Sequence, residues 1–437
     1  MSPIFLFLGG CSIFDPDAPA GPGPSLTLDS AVGDTGGETD TDAPDTDAPD
    51  SDAPDTGGPD ITPVDSGPVD TAAPDTEDSA ASEDDAATEA DELFEEGTIH
   101  EFGLTLGAAA IASLAVDPSL DVPASFSYGG ETYSVGIHIK GSHSLRTLDE
   151  KAAFKIDFNE FVPGQRFLGL EHLTLNNMVQ DRSMLREHAA YWLYDQLGVP
   201  APRHGFARVE VNGALFGLYG IVESMDQDFL ARRFPDDTEG NLYETAHARG
   251  DVTWARSSDF VLQQAGTVPE GEDLDALADT VESATPDSFF GMLETVFDTD
   301  ELLTFLALDI VMGHDDGYIT SCNNYLLYNA PDAGQWHLVP WGQDQTFDEA
   351  SSIYLGYEGQ LAARCIASPE CKTAFDGKLR EVADLWESAD LAGYVRAAAE
   401  GIEADCEADP RKEHECSTEA LLEFIETRPE LVRAQLP

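Results

Sequence analysis

The chain has 437 residues and a net charge of -62, with 84 acidic side chains against 22 basic ones. This excess of negative charge disfavours a role in binding nucleic acid, because attraction to phosphates needs a basic protein face. Apart from a short apolar run at the start, the sequence contains no stretch that is long and apolar enough to be predicted to span a bilayer.

The first residues read MSPIFLFLGGCS, an apolar run that ends in small residues and Cys11. This pattern resembles a bacterial lipoprotein signal at residues 1–11, in which the cysteine is lipidated. The run is short and lacks a basic start, so a chance cysteine after a hydrophobic start is the alternative. The signal predicts an exported lipoprotein, anchored by Cys11 at the cell surface or in the periplasm and touching the membrane only through its lipid.

Residues 12–97 have a biased composition. Lys, Arg and His are absent between Cys11 and Gly97, while units such as TDAPDTDAPDSDAPDT recur. Such a segment buries too little apolar surface to offset the entropy of ordering it, and its like charges repel. We therefore predict a disordered acidic tether at 12–97 and assign the folding to residues 98–437, which are enough for a large core.

Alternation of apolar and polar residues predicts strands after the tether. Residues 122–141 alternate on both sides of Gly129-Gly130, which indicates a hairpin. The sequences AAFKIDF at 152–158 and LEHLTLNN at 170–177 indicate two more strands.

A helix and a second hairpin complete the first half of the folded part. Asp181 or Ser183 is the candidate N-cap, and the expected inner face of the helix contains Leu185, Ala189, Trp192 and Leu193. The strands FARVEVN and LFGLYGIVE are joined at Asn212-Gly213, a strong hairpin signal. Residues 98–223 are therefore predicted to form a β-rich lobe with one helix.

The second half is predicted to be mainly helical, from about residue 224 to 437. ELLTFLALDIVMG at 301–313 has the pattern of a buried helix, and NYLLYN and WHLVPW indicate a hairpin around 332–334. A β-rich lobe followed by an α-rich lobe is an α+β arrangement, and it is the plan of a protein kinase. The fold class predicted from the pattern is therefore a two-lobed, protein-kinase-like fold.

The segment HDDGYITSCNNYLLY, from His314, lies where such a fold would place phosphoryl-transfer chemistry. Asp316 and Asn324 flank a loop directly after the buried helix, and Asp344 follows after one hairpin. Carboxylate and amide oxygens suit a hard cation such as magnesium. The alternative is structural, because Asp and Asn also cap helices and turns.

A kinase-like site also needs a lysine for the nucleotide phosphates and a glutamate to hold it. Lys140, Lys151 and Lys155 all lie in the β-rich lobe, and the sequence does not decide among them; the segment KGSHSLR, from Lys140, could fold over phosphates. Glu187 on the predicted helix could pair with the lysine, or form a surface salt bridge. Glu223 ends a strand where a kinase hinge would run, so it could contact the nucleotide base or the helix.

The cysteines other than Cys11 lie in the second half of the chain. Cys365 lies near Cys371 and Cys406 lies near Cys416, so in an exported protein two local disulfides are expected, with Cys322 left over. A zinc site is the alternative, but the spacings are not those of zinc knuckles.

Taken together, these segments resemble the CotH kinase family, the spore-coat-protein-H-like atypical protein kinases. The resemblance runs from about Val135 to the C-terminus and rests on GIHIKGSHSLRTLDEKAAFKIDF, LNNMVQDRSMLREHAAYWLYDQLGVPAPR, VEVNGALFGLYGIVESMDQDFL, GNLYE, HDDGYITSCNNYLLYN and HLVPWGQDQTF. It implies a kinase-like fold that uses ATP with Mg²⁺ or Mn²⁺. It also implies phosphorylation of Ser or Thr in exported proteins, with the chain itself as one candidate substrate.

The resemblance assigns roles to the candidate residues. Asp316 becomes the catalytic aspartate, with Asp315 as the alternative, and Asn324 and Asp344 become the metal ligands. The ATP lysine is Lys151 or Lys155, and the remaining nucleotide-site candidates are Glu187 and Glu223. Many members read WDxD where this chain has Trp341-Gly342-Gln343-Asp344, so one carboxylate is absent here.

Two main functional hypotheses follow. One is an active, ATP- and metal-dependent serine/threonine kinase of exported or surface proteins, and the other is a non-catalytic surface or coat protein of the same fold. A smaller third possibility is a transferase of this fold with another acceptor or another nucleotide-derived group. The set Asp316, Asn324 and Asp344 favours catalysis, because a pure scaffold has no need to keep it.

Overall fold

A computed structural model describes residues 89–245, 249–253, 257–348, 352–354 and 356–437. The signal-like residues 1–11, with Cys11, and tether residues 12–88 lie outside the described part, so those predictions stay predictions. No helix in the described ranges combines the length and the apolar character that crossing a membrane requires.

The first lobe is a closed seven-stranded barrel with the strand order β1-β2-β3-β4-β5-β7-β6. The barrel closes where β1 pairs in parallel with β6, and all its other neighbouring strands pair antiparallel. The strands are β1 Ile99–Leu106, β2 Val122–Tyr128, β3 Glu131–Lys140, β4 Ala153–Asp157, β5 His172–Asn176, β6 His204–Val211 and β7 Ala214–Glu223. Inward-facing side chains fill the barrel with apolar and aromatic groups, among them Phe102, Phe126 and Phe154.

Turn chemistry fixes two of the barrel's hairpins as predicted. Gly129 and Gly130 both have positive φ between β2 and β3, and Asn212 and Gly213 adopt φ of 51° and 76° between β6 and β7. Glycine and asparagine tolerate this left-handed conformation, which matches the twist of the flanking strands.

The structure corrects the predicted start of the fold and the prediction of a single helix in this lobe. A short 3-10 helix at Ala90–Phe94 lies within the predicted tether, yet Ala90 and Leu93 are fully buried. Strand β1 and helix α1, Ala108–Val116, were not predicted either. In the 3-10 helix only single apolar residues pack among acidic ones, so the burial leaves no periodic pattern in the sequence.

Helix α2, Arg186–Gln196, lies between the barrel and the second lobe. Its N-cap is Leu185 and not the predicted Asp181 or Ser183, but the Asp181 carboxylate accepts hydrogen bonds from the backbone N–H of Arg186, the first helical residue, and of Ser183, each at 2.8 Å. The predicted inner face holds except at Trp192, which is only partly buried and stacks on Tyr394 with the ring centroids 4.4 Å apart. The helix is thus held from the barrel side and from the second lobe.

The second lobe combines helices with a four-stranded sheet of order β11-β10-β8-β9. Its helices are α3 Gln227–Arg233, α4 Glu272–Ser283, α5 Phe289–Val296, α6 Thr299–Val311, α7 Tyr318–Ser321, α8 Gln360–Ala367, α9 Pro369–Ser388, α10 Leu391–Ala408 and α11 Glu419–Gln435. Its strands are β8 Leu242–Thr245, β9 Phe260–Gln264, β10 Tyr325–Ala330 and β11 Gln335–Pro340. The predicted buried helix α6 and the hairpin β10–β11 are both present, and the fold is of the α+β class.

Both predicted local disulfides are present. Cys365 is bonded to Cys371 and Cys406 to Cys416. Cys322 is buried, and its thiol donates a long hydrogen bond to Asp251 Oδ2 at 3.7 Å. The disulfides staple the connections α8–α9 and α10–α11, which lie at the C-terminal end of the fold.

Candidate active site

A cleft of about 680 Å³ lies where the end of β3 faces the loops before β10 and after β11. It is within the size range of small-molecule sites in proteins. From the barrel lobe it is lined by Lys140, Gly141, Ser142, His143, Ser144, Asn176 and Gln180, and from the second lobe by Glu244, Thr245, Asp316, Asn323, Asn324, Trp341, Gly342, Asp344 and Gln345. Three of the predicted residues, Asp316, Asn324 and Asp344, therefore share one cleft.

The loop after α6 places Asp316 at the cleft. Asn324 donates hydrogen bonds to Asp316 from its Nδ2 atom, to the backbone oxygen and to Oδ2, each at 2.9 Å. The neighbouring Asp315 is exposed and is not among the cleft-lining residues. This geometry favours Asp316 over Asp315 as the residue that faces a substrate.

Asn324 and the loop after β11 approach each other closely. Asn324 has a positive φ of 52°, and Gly342 has a φ of 54°. A Cβ atom on Gly342 would lie 2.5 Å from Asn324 Oδ1, so glycine is required here for two independent reasons. Because the amide nitrogen of Asn324 is used by Asp316, its oxygen is the group left for a cation.

A buried histidine and aspartate hold the same loop from behind. His314 Nδ1 lies 3.1 Å from Asp309 Oδ1, and the backbone N–H of Ile319 donates to Asp309 Oδ2 at 2.8 Å. His314 Nε2 is buried and has no hydrogen-bond partner in the described part of the chain. Interaction with His314 lowers the pKa of Asp344, against the larger effect of burial, which raises it. The dyad therefore orders the loop that lies beside Asp344.

Lys140 is the lysine that reaches the cleft. It ends β3, and its Nζ lies 5.3 Å from the centroid of the Trp341 ring, within cation–π range. Burial lowers the pKa of Lys140, while the charges of Glu187, Asp344 and Glu244 oppose that shift. Lys140 thus lies among carboxylates of both lobes.

Glu187 on α2 is buried beside this lysine. Asn176 Nδ2 donates to Glu187 Oε2, and the Tyr191 hydroxyl donates to Oε1 at 3.3 Å. Burial, together with the negative charge of Asp344, raises the pKa of Glu187 to about 7. Burial also raises the pKa of Asp344 to about 6. The two carboxylates therefore disfavour each other's charged form, and a cation bound beside them would favour it.

Arg186 links the start of α2 to the loop that carries Asp344. Its Nη1 donates to the Asp344 backbone oxygen at 3.3 Å, and its Nη2 lies 3.3 Å from Asp348. Its Nε lies 3.5 Å from Asp181 Oδ1, and the Asp181 carboxylate also accepts the backbone N–H of Arg186. One guanidinium therefore ties the helix that carries Glu187 to the 3-10 turn Gln343–Gln345.

Within the described part of the chain, no group of three or more His, Cys, Asp or Glu side chains is arranged to hold a metal ion. A divalent cation in the cleft would therefore need an amide oxygen and ligands from outside the protein. Asn324 Oδ1 and the Asp344 carboxylate are oxygen donors of the kind that magnesium prefers, and phosphate oxygens commonly supply the rest. The donor set fits a cation that arrives with a phosphate ligand.

Lys151, one of the two predicted ATP lysines, does not line the cleft. Its side chain is 1% exposed, and its Nζ lies 2.6 Å from Asp409 Oδ2, whose side chain is fully buried. Burial lowers the pKa of Lys151, and the charge of Asp409 counters it. The prediction fails because a partner far along the chain takes this lysine into a structural ion pair.

Lys155 and Glu223 are also absent from the cleft lining. Lys155 lies on β4, opposite His138 and Thr174 in the barrel. Glu223 is buried and accepts hydrogen bonds from Arg203 and Arg232. Burial alone would raise the pKa of Glu223, but the two guanidiniums outweigh it and hold the pKa at about 2. Glu223 is therefore neutralised by two arginines and lies outside the lining of this cleft.

The sequence contained a signal for Lys140, one of the three candidate lysines, and for His314, which was not singled out. Lys140 ends the alternating strand that precedes the loop 141–151, and a strand end next to a loop is where a side chain can reach a cleft. His314 lies directly before the paired carboxylates. Arg186 and Asp309 carried no signal of this kind, because their partners lie on other elements.

Comparisons with known proteins indicate the family to which the chain is similar. A family model described as "CotH kinase protein" matches residues 137–432. Inner spore coat protein H of Bacillus subtilis is 23% identical over 340 residues, which cover 72% of this chain and 91% of that protein. Invasin CotH2 of Rhizopus delemar is 23% identical over 270 residues, which cover 54% of this chain and 45% of the invasin. The chain thus spans most of the first relative and about half of the second.

Among solved structures, a proinflammatory kinase of Helicobacter pylori, CtkA, aligns over 73% of this chain and 94% of its own. The identity is 8% and the TM-score is 0.25.

Proposed function

We propose that this chain, which belongs to the CotH kinase family, transfers the γ-phosphoryl group of ATP to a Ser or Thr hydroxyl of an exported or surface protein. The observation that carries the proposal is the convergence of Lys140, Asp316, Asn324 and Asp344 on one cleft. Phosphoryl transfer asks little covalent chemistry of a protein and depends mainly on positioning and charge neutralisation. The cleft offers both.

Lys140 is proposed to neutralise the nucleotide phosphates. It is the cation of the cleft wall on the barrel side, and its charge interacts with Glu187 on α2. Glu187 is proposed to favour the charged form of the lysine, because its negative charge raises the pKa of Lys140 against the effect of burial. This arrangement replaces the earlier choice between Lys151 and Lys155.

Asn324 Oδ1 and the Asp344 carboxylate are proposed to hold Mg²⁺ or Mn²⁺ together with the phosphates. When bound, such an ion neutralises charge on the phosphate oxygens during transfer. The Asp344 carboxylate accepts no hydrogen bond from another described residue, which leaves its two oxygens available; Arg186 donates only to the backbone oxygen. The close approach of Gly342 to Asn324 fixes the amide relative to this carboxylate.

Asp316 is proposed to orient the acceptor hydroxyl and take its proton. The hydroxyl oxygen forms the new bond to the γ-phosphorus, the bond between that phosphorus and the bridging oxygen of ADP breaks, and ADP leaves. Asn324 holds Asp316 Oδ2 by a hydrogen bond at 2.9 Å, so Oδ1 remains for the substrate.

The test is incubation of the full chain with labelled ATP and Mg²⁺ or Mn²⁺, with casein and the chain itself as acceptors. The variants are Asp344→Asn, which removes the charge of the proposed ligand, and Asp332→Asn as a matched control at the tip of the same hairpin, outside the cleft. We expect labelling by the parent and the control and a loss of about a hundredfold or more in Asp344→Asn. Equal labelling by all three proteins would remove Asp344 from the site, and labelling by none would refute the kinase proposal.

The same proposal includes the place where the protein acts. Two disulfides within the folded part suit an oxidising compartment. The relatives are named as a spore coat protein and an invasin, which supports an exported or surface location. Anchoring through a lipid on Cys11 remains a proposal, and mass spectrometry of the N-terminal peptide from expression in a bacterial host tests it.

A second candidate is a non-catalytic binding protein of the same fold. The observation that favours it is Gly342, which stands where many family members carry a carboxylate, so the metal site has one carboxylate fewer. This candidate predicts ATP binding without transfer. Equilibrium dialysis with labelled ATP, beside the transfer assay, separates it from the active kinase.

A further inference from the structure

The loop between β3 and β4, residues 141–151, forms one wall of the cleft. The cleft lining on this side contains Lys140 at the end of β3 and the four residues that follow it, Gly141, Ser142, His143 and Ser144. The barrel lobe holds this loop mainly at its ends, because Asn177 Nδ2 donates to the backbone oxygens of Ser144 at 3.0 Å and of Lys151 at 2.8 Å. Residues 145–150, between these two points, are contacted by another part of the chain.

Arg146 connects that stretch to the C-terminal part of the chain. Its guanidinium donates to the backbone oxygens of His143 at 3.2 Å and of Leu145 at 3.0 Å. It also pairs with the Glu413 carboxylate through two hydrogen bonds, of 2.5 and 2.9 Å. A cleft-lining residue, His143, is therefore one side chain away from Glu413.

Arg411 makes the second connection. Its Nη1 donates to the backbone oxygens of Glu150 and, at 3.2 Å, of Leu148. Its guanidinium lies 3.8 Å from the centroid of the Phe216 ring on β7. Arg411 thus spans the far end of the loop and the wall of the barrel.

Asp409 anchors the C-terminal segment itself in the barrel. Besides its ion pair with Lys151, its carboxylate accepts hydrogen bonds from the backbone N–H of Leu218 at 3.1 Å and of Arg411 at 2.8 Å. A Cβ atom on Gly217 would lie 2.2 Å from the Asp409 carboxylate, so β7 admits this aspartate only because a glycine lies there. The anchor is therefore built into both elements.

Asp409, Arg411 and Glu413 lie on one short covalent ring, which the disulfide between Cys406 and Cys416 closes. The ring limits how far Arg411 and Glu413 can move from the end of α10. We infer that the disulfide ring 406–416 is a positioning element of the proposed nucleotide site, and that it holds residues 145–150, and through them the wall 141–144, over the cleft. This inference rests on the proposed function for its effect on ATP but not for its effect on the loop.

The experiment compares variants of the full chain by two measurements. Hydrogen–deuterium exchange of the amides of 141–150 reports on the loop whether or not the protein transfers phosphate. The KM for ATP, measured separately from kcat, reports on the cleft. The variants are Glu413→Gln and the pair Cys406→Ser/Cys416→Ser. Their matched controls are Glu407→Gln, an acid of the same ring that pairs with Lys412 at 3.2 Å, and Cys365→Ser/Cys371→Ser, which removes the other disulfide.

We expect faster exchange of 141–150 in both test variants and in neither control. The KM for ATP should rise about threefold to fivefold in Glu413→Gln, because a partly exposed ion pair is lost, and more in the cysteine pair, with a smaller change in kcat. Unchanged exchange in Glu413→Gln overturns the inference even if the cysteine variant unfolds. Faster exchange with an unchanged KM also overturns the role in nucleotide binding. If the parent shows no transfer, the proposed function fails, and the exchange comparison alone then decides whether the ring positions the loop.

Discussion

The three lysines of the barrel lobe give the sharpest test of the site, because each should fail differently when it is replaced by methionine. Lys140→Met removes the proposed contact to the phosphates, and we expect transfer to fall about a hundredfold to a thousandfold with little change in stability. Lys155→Met should change the transfer rate by no more than about twofold and the free energy of unfolding by no more than about 0.5 kcal/mol. Lys151→Met should instead destabilise the fold.

The size of the last effect follows from the geometry. Lys151 is 1% exposed and lies 2.6 Å from a fully buried Asp409 carboxylate. Removing one partner of a buried pair costs roughly 3–5 kcal/mol, because the other charge is left uncompensated. Asp409 keeps its two backbone donors, so we expect the lower end, about 3 kcal/mol. For a folded unit of about 350 residues, with an unfolding entropy of about 2.1 cal/mol/K per residue, that corresponds to a fall in Tm of about 4 °C.

The assays are urea and thermal unfolding beside labelled phosphate transfer at a temperature where every variant is folded. Adding Asp409→Asn to Lys151→Met removes the unpaired charge and should recover more than half of the lost stability. If Lys151→Met abolishes transfer at unchanged stability, Lys151 is the functional lysine and our assignment of Lys140 is wrong. A stable and fully active Lys140→Met variant would refute the assignment equally.

Two further predictions concern buried charge and backbone shape. The pKa of Glu223 is lowered to about 2, so this group contributes about 3 kcal/mol of stability above pH 4.5, and this contribution is lost as the pH falls from 4.5 towards 2. Urea unfolding across this range should show the loss in the parent and not in Glu223→Gln. Equal pH profiles of the two proteins would contradict this prediction. Gly342→Ala should lower transfer about tenfold to a hundredfold, because its Cβ displaces Asn324. Gly334→Ala, which has a similar positive φ but open space around its Cβ, is the control, and equal transfer rates in the two variants would show that the contact with Asn324 is unimportant.

Several features of the fold could be predicted because their causes are local. The hairpins at Gly129-Gly130 and Asn212-Gly213 depend on residues that tolerate positive φ, and the structure has both turns. Helix α6 and the hairpin that follows it were visible as apolar periodicity. These elements carry Asp316, Asn324 and Asp344 at their ends, so the second-lobe half of the site was predictable as well.

Other features could not be predicted because they depend on packing between distant segments. Nothing local to Ile99–Leu106 indicates that it pairs in parallel with β6 and closes a barrel. The burial of Ala90 and Leu93 is of the same kind, since neither residue belongs to a periodic run. Parallel pairing of distant strands depends on the whole sheet, and a short sequence window contains no record of it.

By itself the sequence determined which residue types were available for the chemistry: three lysines in one lobe, and two carboxylates and an amide in the other. Tertiary structure alone decided which lysine is at the cleft. Asp409 pairs with Lys151 outside the cleft lining, and Arg203 and Arg232 neutralise Glu223, which is also outside it. Lys140 remains near the charges of Glu187 and Asp344. The physical reason is that a buried charge without a partner is costly, so each buried charged side chain lies beside an opposite charge. The fold decides which opposite charge that is, and so decides what the side chain can do.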